Sequence, residues 1–403
     1  MLRKAFMGEV VIISAVRTAG GRIGGALKDV QPDDLAKVVI AAALDRSGIE
    51  PEAVDEVIFG QAKQSADAAN LARVAALKAG LPVEVPAYTV MRQCGSGLQA
   101  VHNAAQAILS GQAEIVVAGG TESMSNAPYY MRGARYGYVS GNAVLVDSNT
   151  ESQPRSQPVE VYGNLTMGLT AENLAARYAI SREEQDAFAL HSQEKALDAI
   201  AGGRFVDEIV PIDIPQKKGD PVVFAVDEHP RRTSLEQLAS LAPVFKDGGT
   251  VTAGNSSGRN DGAACLVVAS AAEARRRGLQ PLATIRSQAV VGVPPEIMGI
   301  GPAPATRKAL ALAGLRLDDI GLIELNEAFA AQSLAVVKEL GLDQGILNVN
   351  GGAIALGHPL GCSGARILTT LLYEMRRRGT RHGLATLCIA GGQGISTIVE
   401  AAT

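Results

Sequence analysis

The chain has 403 residues, enough for two or three domains rather than one small core. Apolar residues make up 47% and charged residues 19%, with a net charge of -4, which excludes a basic nucleic-acid binder. Its four cysteines, Cys94, Cys265, Cys362 and Cys388, are widely scattered; the spacing excludes a zinc knuckle or CxxC redox motif and fits a reducing compartment.

The opening stretch, Met1 to Glu9, has no apolar core of signal-peptide length, and no later run approaches membrane-spanning length. The last four residues, Glu400-Ala401-Ala402-Thr403, are not a peroxisomal address. A soluble cytoplasmic protein without membrane insertion is expected.

Further along, Arg92-Gln93-Cys94-Gly95-Ser96-Gly97 precedes a helical pattern. Leu98, Val101, Ala105 and Ile108 fall at spacings of three and four, and Gly111 ends the run. Cys94 thus lies at a helix mouth, where free N–H groups and the helix dipole favour a thiolate. A small buried structural cysteine is the alternative reading of this segment alone. The apolar strand Ile115 to Ala118 follows, closed by Gly119-Gly120.

Residues from about 122 to 250 differ from the rest in carrying many polar residues and several prolines. Ser181-Arg182-Glu183-Glu184 reads as a capping box, opening a helix that runs to about Ile200 and stops at Gly202-Gly203. A long insertion on an α/β scaffold covers a ligand, forms an oligomeric arm, or does both.

Three clusters follow in the second half: Asn326-Glu327-Ala328-Phe329, the run from Asn350 to Pro359 with His358 in a glycine-rich turn, and Cys388-Ile389-Ala390-Gly391-Gly392. Of five histidines, His102 lies two turns along the Cys94 helix, His191 is mid-helix, and His229 and His382 sit in polar segments. His358 stands apart, because Gly357 and Pro359 fix its backbone without burying it in an apolar face. A thiol nucleophile needs a base and a carbon nucleophile needs a second one; one histidine and two cysteines supply both. Arg376-Arg377-Arg378 reads as a solvated helix end.

The chain also repeats itself. Cys94-Gly95-Ser96-Gly97 resembles Gly361-Cys362-Ser363-Gly364, each preceding an apolar helix and then a strand closed by a glycine pair. Chance likeness of Gly-Ser turns is the other explanation. Cys362 aligns with Gly95, so it is not a second copy of the nucleophile. Apolar strands alternating with helices indicate a duplicated α/β unit covered on both faces.

These residues resemble the thiolase family of coenzyme A-dependent acyltransferases, and the likeness runs through nearly the whole chain. It includes Ile12 to Thr18, Gly119 to Ser125, Met167 to Asn173, Thr252 to Gly258, Asn260 to Ala263, Gly299 to Pro302 and the three clusters above. The resemblance implies an α/β fold: a duplicated five-layer αβαβα core with an inserted loop domain. The N-terminal half would be 1–121 plus 250–275, the loop domain 122–249 and the C-terminal half 276–403.

The resemblance also implies roles. Cys94 would be the acylated nucleophile and His358 its base. Cys388 would be the acid/base acting on the α-carbon of acetyl-CoA. Asn326 would hold a water that forms one oxyanion hole with His358, and the backbone N–H groups of Cys94 and Ala390 would form the other. Ser257 and Arg231 would contact coenzyme A, while Met167 and Met298 would wall the acyl pocket. Acyl-CoA, acetyl-CoA and coenzyme A would be substrates, with no cofactor and no metal, in a homodimer or homotetramer.

Three positions depart from the family pattern: Met91 stands where it has Asn, Ala390 where it has Gly, and Thr166 where short-chain members have His. Ala390 would be strained if its φ were positive. Met91 and Ala390 motivate a second expectation, a catalytically idle acyl-CoA or lipid carrier. Retention of Cys388 speaks against a third, a relative that decarboxylates a malonyl thioester.

Overall fold

A computed structural model describes residues 8–402; the opening segment read for a signal peptide lies largely outside the described residues. Nine of the eleven strands of the main sheet form its continuous path, two-residue strands at Gly21–Arg22 and Ile209–Val210 pairing beside it: β1 (Val10–Thr18), β2 (Glu56–Gly60), β3 (Ala87–Val90), β4 (Ile115–Ser123), β5 (Asn260–Ser270), β6 (Ala283–Gly292), β7 (Leu322–Leu325), β8 (His382–Ile389) and β9 (Gln393–Ala401). The longer helices are α1 (Pro32–Ser47), α2 (Leu71–Lys78), α3 (Ser96–Leu109), α4 (Met167–Arg177), α5 (Arg182–Ala201), α6 (Pro302–Ala313), α7 (Ala330–Leu340) and α8 (Leu360–Arg378).

Strand order is β7-β8-β9-β6-β1-β5-β4-β2-β3; outward from the β6–β1 junction the first four strands on each side follow the same pattern, and β3 is an extra edge strand on one side. On one side β1, β5 and β4 are antiparallel, then β4, β2 and β3 run parallel. On the other, β6, β9 and β8 are antiparallel and β8 runs parallel to β7. The two half-sheets are joined by strand pairing where β1 meets β6, at Val11 with Thr284 and Ile12 with Ala283. This mirrored order is the duplication expected from the repeated tetrapeptides.

Helices α3 and α8 pack together between the two half-sheets, with α1 and α2 outside one and α6 outside the other. This gives five layers. One apolar core lies between α1, α2 and the first half-sheet. A second surrounds α3 and α8, and a third lies under α6 and α7. Central helices buried on all sides need apolar residues around most of their surface, and α8 is buried from Gly361 to Leu372.

Local readings from sequence fare well, with three corrections. The Ser181–Glu184 capping box forms, and its helix ends at Gly202. However, Gly119 and Gly120 lie inside β4, not after it. A side chain at Gly120 would stand 2.0 Å from the Gly361 carbonyl, so the glycine lets the two halves touch. The later pair, Gly391 and Gly392, is a true turn, with φ of 87° and 84°. His382 lies on β8 and is buried, not in a polar loop. Likewise, His358 is 5% exposed, more enclosed than its glycine-rich setting suggests.

Candidate active site

Parallel strands collect ligand groups at their C-terminal ends. Cys94 follows β3, Asn326 follows β7, and Cys388 is the penultimate residue of β8. His358 precedes α8, the counterpart of α3. Cys94, His358, Cys388, Ala390, Met167, Met298 and Ser257 all line one cavity of about 180 Å³.

The Cys94 loop is drawn tight by Ser96. Its hydroxyl donates to the Gln93 carbonyl at 2.6 Å and accepts the Arg92 N–H at 2.8 Å. Gln93 has φ of 46°, an uncommon value for a side-chain-bearing residue, and this turns Cys94 toward the cavity. Met91 is exposed and takes no part in these bonds, so Ser96 holds the loop without the family's Asn.

Burial decides the resting state of Cys94. It pushes the thiol up to about 11, against the pull of the Ala390 and Cys94 N–H groups and the Lys63 ammonium. The expectation of a resting thiolate at the helix mouth is therefore corrected: desolvation outweighs the helix-terminus field. The two N–H groups nevertheless face the sulfur. Ala390 is absent from the residues with positive φ, so its methyl imposes no backbone strain.

His358 is held in one neutral tautomer. Ser363 Oγ donates to the Pro359 carbonyl at 2.9 Å. Its only proton is thus committed, so at 2.6 Å it accepts from His358 Nδ1–H. That leaves Nε2 unprotonated, and Nε2 is buried without a protein partner. Burial, helped by the Arg366 charge, lowers the imidazole pKa to about 3, so the ring is neutral. The backbone N–H of His358 donates to Asn260 Oδ1 at 3.1 Å.

Cys388 is 1% exposed and held well above the ordinary thiol range by burial and by Cys94. It packs with Met298, Ala328, Phe329 and Val251, and Met167 and Phe245 complete this apolar wall. Phe245 meets Phe329 edge-on at 5.9 Å. Gly168 permits this, because a Cβ there would enter the Phe245 ring.

Asn326 is not among the residues that line the cavity; it is fully buried, with both amide atoms unpartnered. Arg231 is not on the wall. It is exposed, and its Nη1 lies 3.4 Å from Nε2 of His229, the ring of which covers Gly258 beside Ser257.

Sequence reasoning missed several groups. Ser363 was seen only as part of a repeat. Glu122 accepts the N–H groups of Ala62, Lys63 and Gly361 at 2.9–3.0 Å, binding the two halves beside the site. Lys63 and the segment Asn149–Ser156 form the polar wall. Lys63 falls just beyond a buried parallel strand, β2, and that position was its legible signal.

Comparison with known proteins shows the family. The thiolase N-terminal domain model matches residues 10–272 and the thiolase C-terminal domain model residues 279–401. The acetyl-CoA acetyltransferase of Chromobacterium violaceum is 54% identical, covering 97% of this chain and 99% of its own. That of Cupriavidus necator is 53% identical, covering 98% and 100%. The crystal structure of the Bacillus anthracis acetyl-CoA acetyltransferase superposes with a TM-score of 0.95 at 50% identity, covering 98% of this chain and 99% of its own. Human mitochondrial 3-ketoacyl-CoA thiolase in complex with CoA gives 0.94 at 47%, covering 99% of each.

The family models and the acetyl-CoA acetyltransferase relatives define an acyltransferase enzyme. This chain belongs to the thiolase family.

Proposed function

We propose that the protein moves acyl groups between coenzyme A thioesters through a Cys94 acyl-enzyme, condensing acyl-CoA with acetyl-CoA and cleaving 3-ketoacyl-CoA in reverse. The observation that carries this is the convergence on one cavity of Cys94, the unpartnered Nε2 of His358 and Cys388. The acetyl-CoA acetyltransferase relatives and the CoA-bound structural neighbour support the substrate class.

In thiolysis, the Cys94 sulfur attacks the 3-keto carbonyl while His358 Nε2 takes the thiol proton. The carbon–carbon bond breaks, and Cys388 gives its proton to the α-carbon of the departing acetyl-CoA. Coenzyme A then enters, and its thiol proton passes to the Cys388 thiolate. The new thiolate attacks the Cys94 thioester, and Cys94 leaves with the proton stored on His358. Each group returns to its starting state, and the two-step transfer gives ping-pong kinetics.

Burial fits this division. A thiol held above its usual range has a strongly basic thiolate, matched to a weakly acidic C–H. The N–H groups of Cys94 and Ala390 form one oxyanion hole. Asn326, with its orphaned amide, holds the water that forms the other with His358. Ser257 and Arg231 contact coenzyme A, and residues 122–249 act as the loop domain that covers the ligand.

Incubation with acetyl-CoA followed by mass measurement tests the reading. One acetyl adduct is expected, absent in Cys94→Ser. Cys388→Ala is expected to acylate but not to condense. No adduct on the native enzyme, or loss of acylation in Cys388→Ala, contradicts these roles.

A further inference from the structure

The acyl cavity has two unlike walls. Met167, Phe245, Met298 and Phe329 make one apolar. The other carries Lys63 with Asn149, Ser152, Gln153 and Ser156. No Asp or Glu lines the cavity. Arg259, its second cation, is exposed, whereas Lys63 is 6% exposed.

A buried ammonium without an ion-pair partner is costly, so its neighbours matter. Lys63 Nζ donates to the Ser148 carbonyl at 3.1 Å and to Ser152 Oγ. Two of its three donors are thereby used. The closest acids do not neutralise it by contact. Glu122 spends its oxygens on three backbone N–H groups, and Asp147 caps the short helix that follows it. A residue that merely tethered the 148–152 segment would need no charge, and an all-apolar acyl chain would leave this ammonium dry and unpaired.

Resting on the thiolase reading above, we propose that Lys63 selects acyl chains that end in a carboxylate, so that the preferred substrates are 3-oxoacyl-CoA thioesters of dicarboxylic acids. The tail carboxylate accepts the remaining Lys63 donor, while the aliphatic carbons lie along the methionine and phenylalanine wall. A charge-assisted hydrogen bond of this kind corresponds to a preference of about tenfold or more.

The test compares kcat/KM for thiolysis of 3-oxoadipyl-CoA with 3-oxohexanoyl-CoA, and of their eight-carbon counterparts. The native enzyme is expected to favour the carboxylate by about tenfold or more at one or both lengths. Lys63→Met and Lys63→Gln are expected to abolish that ratio; the Gln variant keeps hydrogen-bond donors for Ser148 and Ser152. Any influence of Lys63 on the Cys94 thiol acts on both substrates alike and cancels in the ratio. Turnover of the methyl-ended substrates with no carboxylate preference overturns the Lys63 proposal and leaves the thiolase chemistry intact. Absence of turnover with every substrate overturns the thiolase reading instead. The pocket is then judged by calorimetry with adipyl-CoA against hexanoyl-CoA: tighter binding of adipyl-CoA supports the proposal and equal affinity overturns it.

Discussion

A single hydroxyl decides which nitrogen of His358 carries the proton. Ser363 gives its proton to Pro359, and the ring must therefore donate from Nδ1. The neutral ring then presents a lone pair at Nε2, inside the cavity that Cys94 also lines. Replacing Ser363 by Ala removes the acceptor and leaves Nδ1–H buried without a partner. The loss of one such bond is worth about 1 kcal/mol, so acylation is expected to slow by roughly fivefold to tenfold. Nitrogen-15 spectra of the native enzyme should show protonated Nδ1 and bare Nε2 at neutral pH. Native-like acylation in Ser363→Ala, or a ring protonated at Nε2 in the native enzyme, would remove this role.

At the scale of elements, the site exists because two helix mouths cross at close range. Gly97 faces the Gly361 carbonyl, Gly364 faces the Leu98 backbone, and Gly120 supports the same crossing from β4. A methyl on Gly120 would overlap backbone that cannot swing aside. Gly120→Ala is expected to cost about 1–3 kcal/mol in urea unfolding. It should also lower kcat, since Gly361 lies in the first turn of the helix that follows His358. Unchanged stability together with unchanged kcat would show that the crossing tolerates expansion.

These elements also show what was legible in the chain. The α3 periodicity, the Ser181 capping box and the repeated Gly-Ser turns are local signals, and each formed close to where it was read. The cluster of Cys94, His358 and Cys388 was legible because reactive side chains sat in glycine-rich turns after apolar strands. The protonation state of Cys94 was not. It depends on how much water the folded cavity excludes, a quantity that no local spacing encodes. Nor was the partnership of Glu122 with Gly361, which joins residues 239 positions apart.

The molecule as a whole holds many buried charges. Arg17 pairs with Glu208 at 2.6 Å and with Asp227 at 2.7 Å, fixing β1 to residues of the long insertion. Arg366, under the active site, has no protein partner for its guanidinium nitrogens, and its charge acts on nearby Glu324. Burial and neighbouring acids push Glu324 up to about 8. In the folded state it therefore keeps a proton that the unfolded chain releases above pH 4.5. The folded protein binds more protons across that window, so this group's contribution is present at low pH and is lost as pH rises toward 8.

The histidines act with the opposite slope. His102 and His358 are lowered to about 3 and His229 to about 4, so below pH 6.5 the unfolded chain binds more protons and stability falls on acidification. Together these groups place maximum stability on the acid side of neutrality. Glu324→Gln removes one alkaline limb and leaves the acid limb in place. The variant is expected to lose less stability between pH 6 and pH 8 than the native protein, by up to about 1.4 kcal/mol per pH unit, in urea unfolding at matched ionic strength. Parallel losses in the two proteins would mean that Glu324 is already ionised at pH 6, with the Arg366 charge outweighing burial.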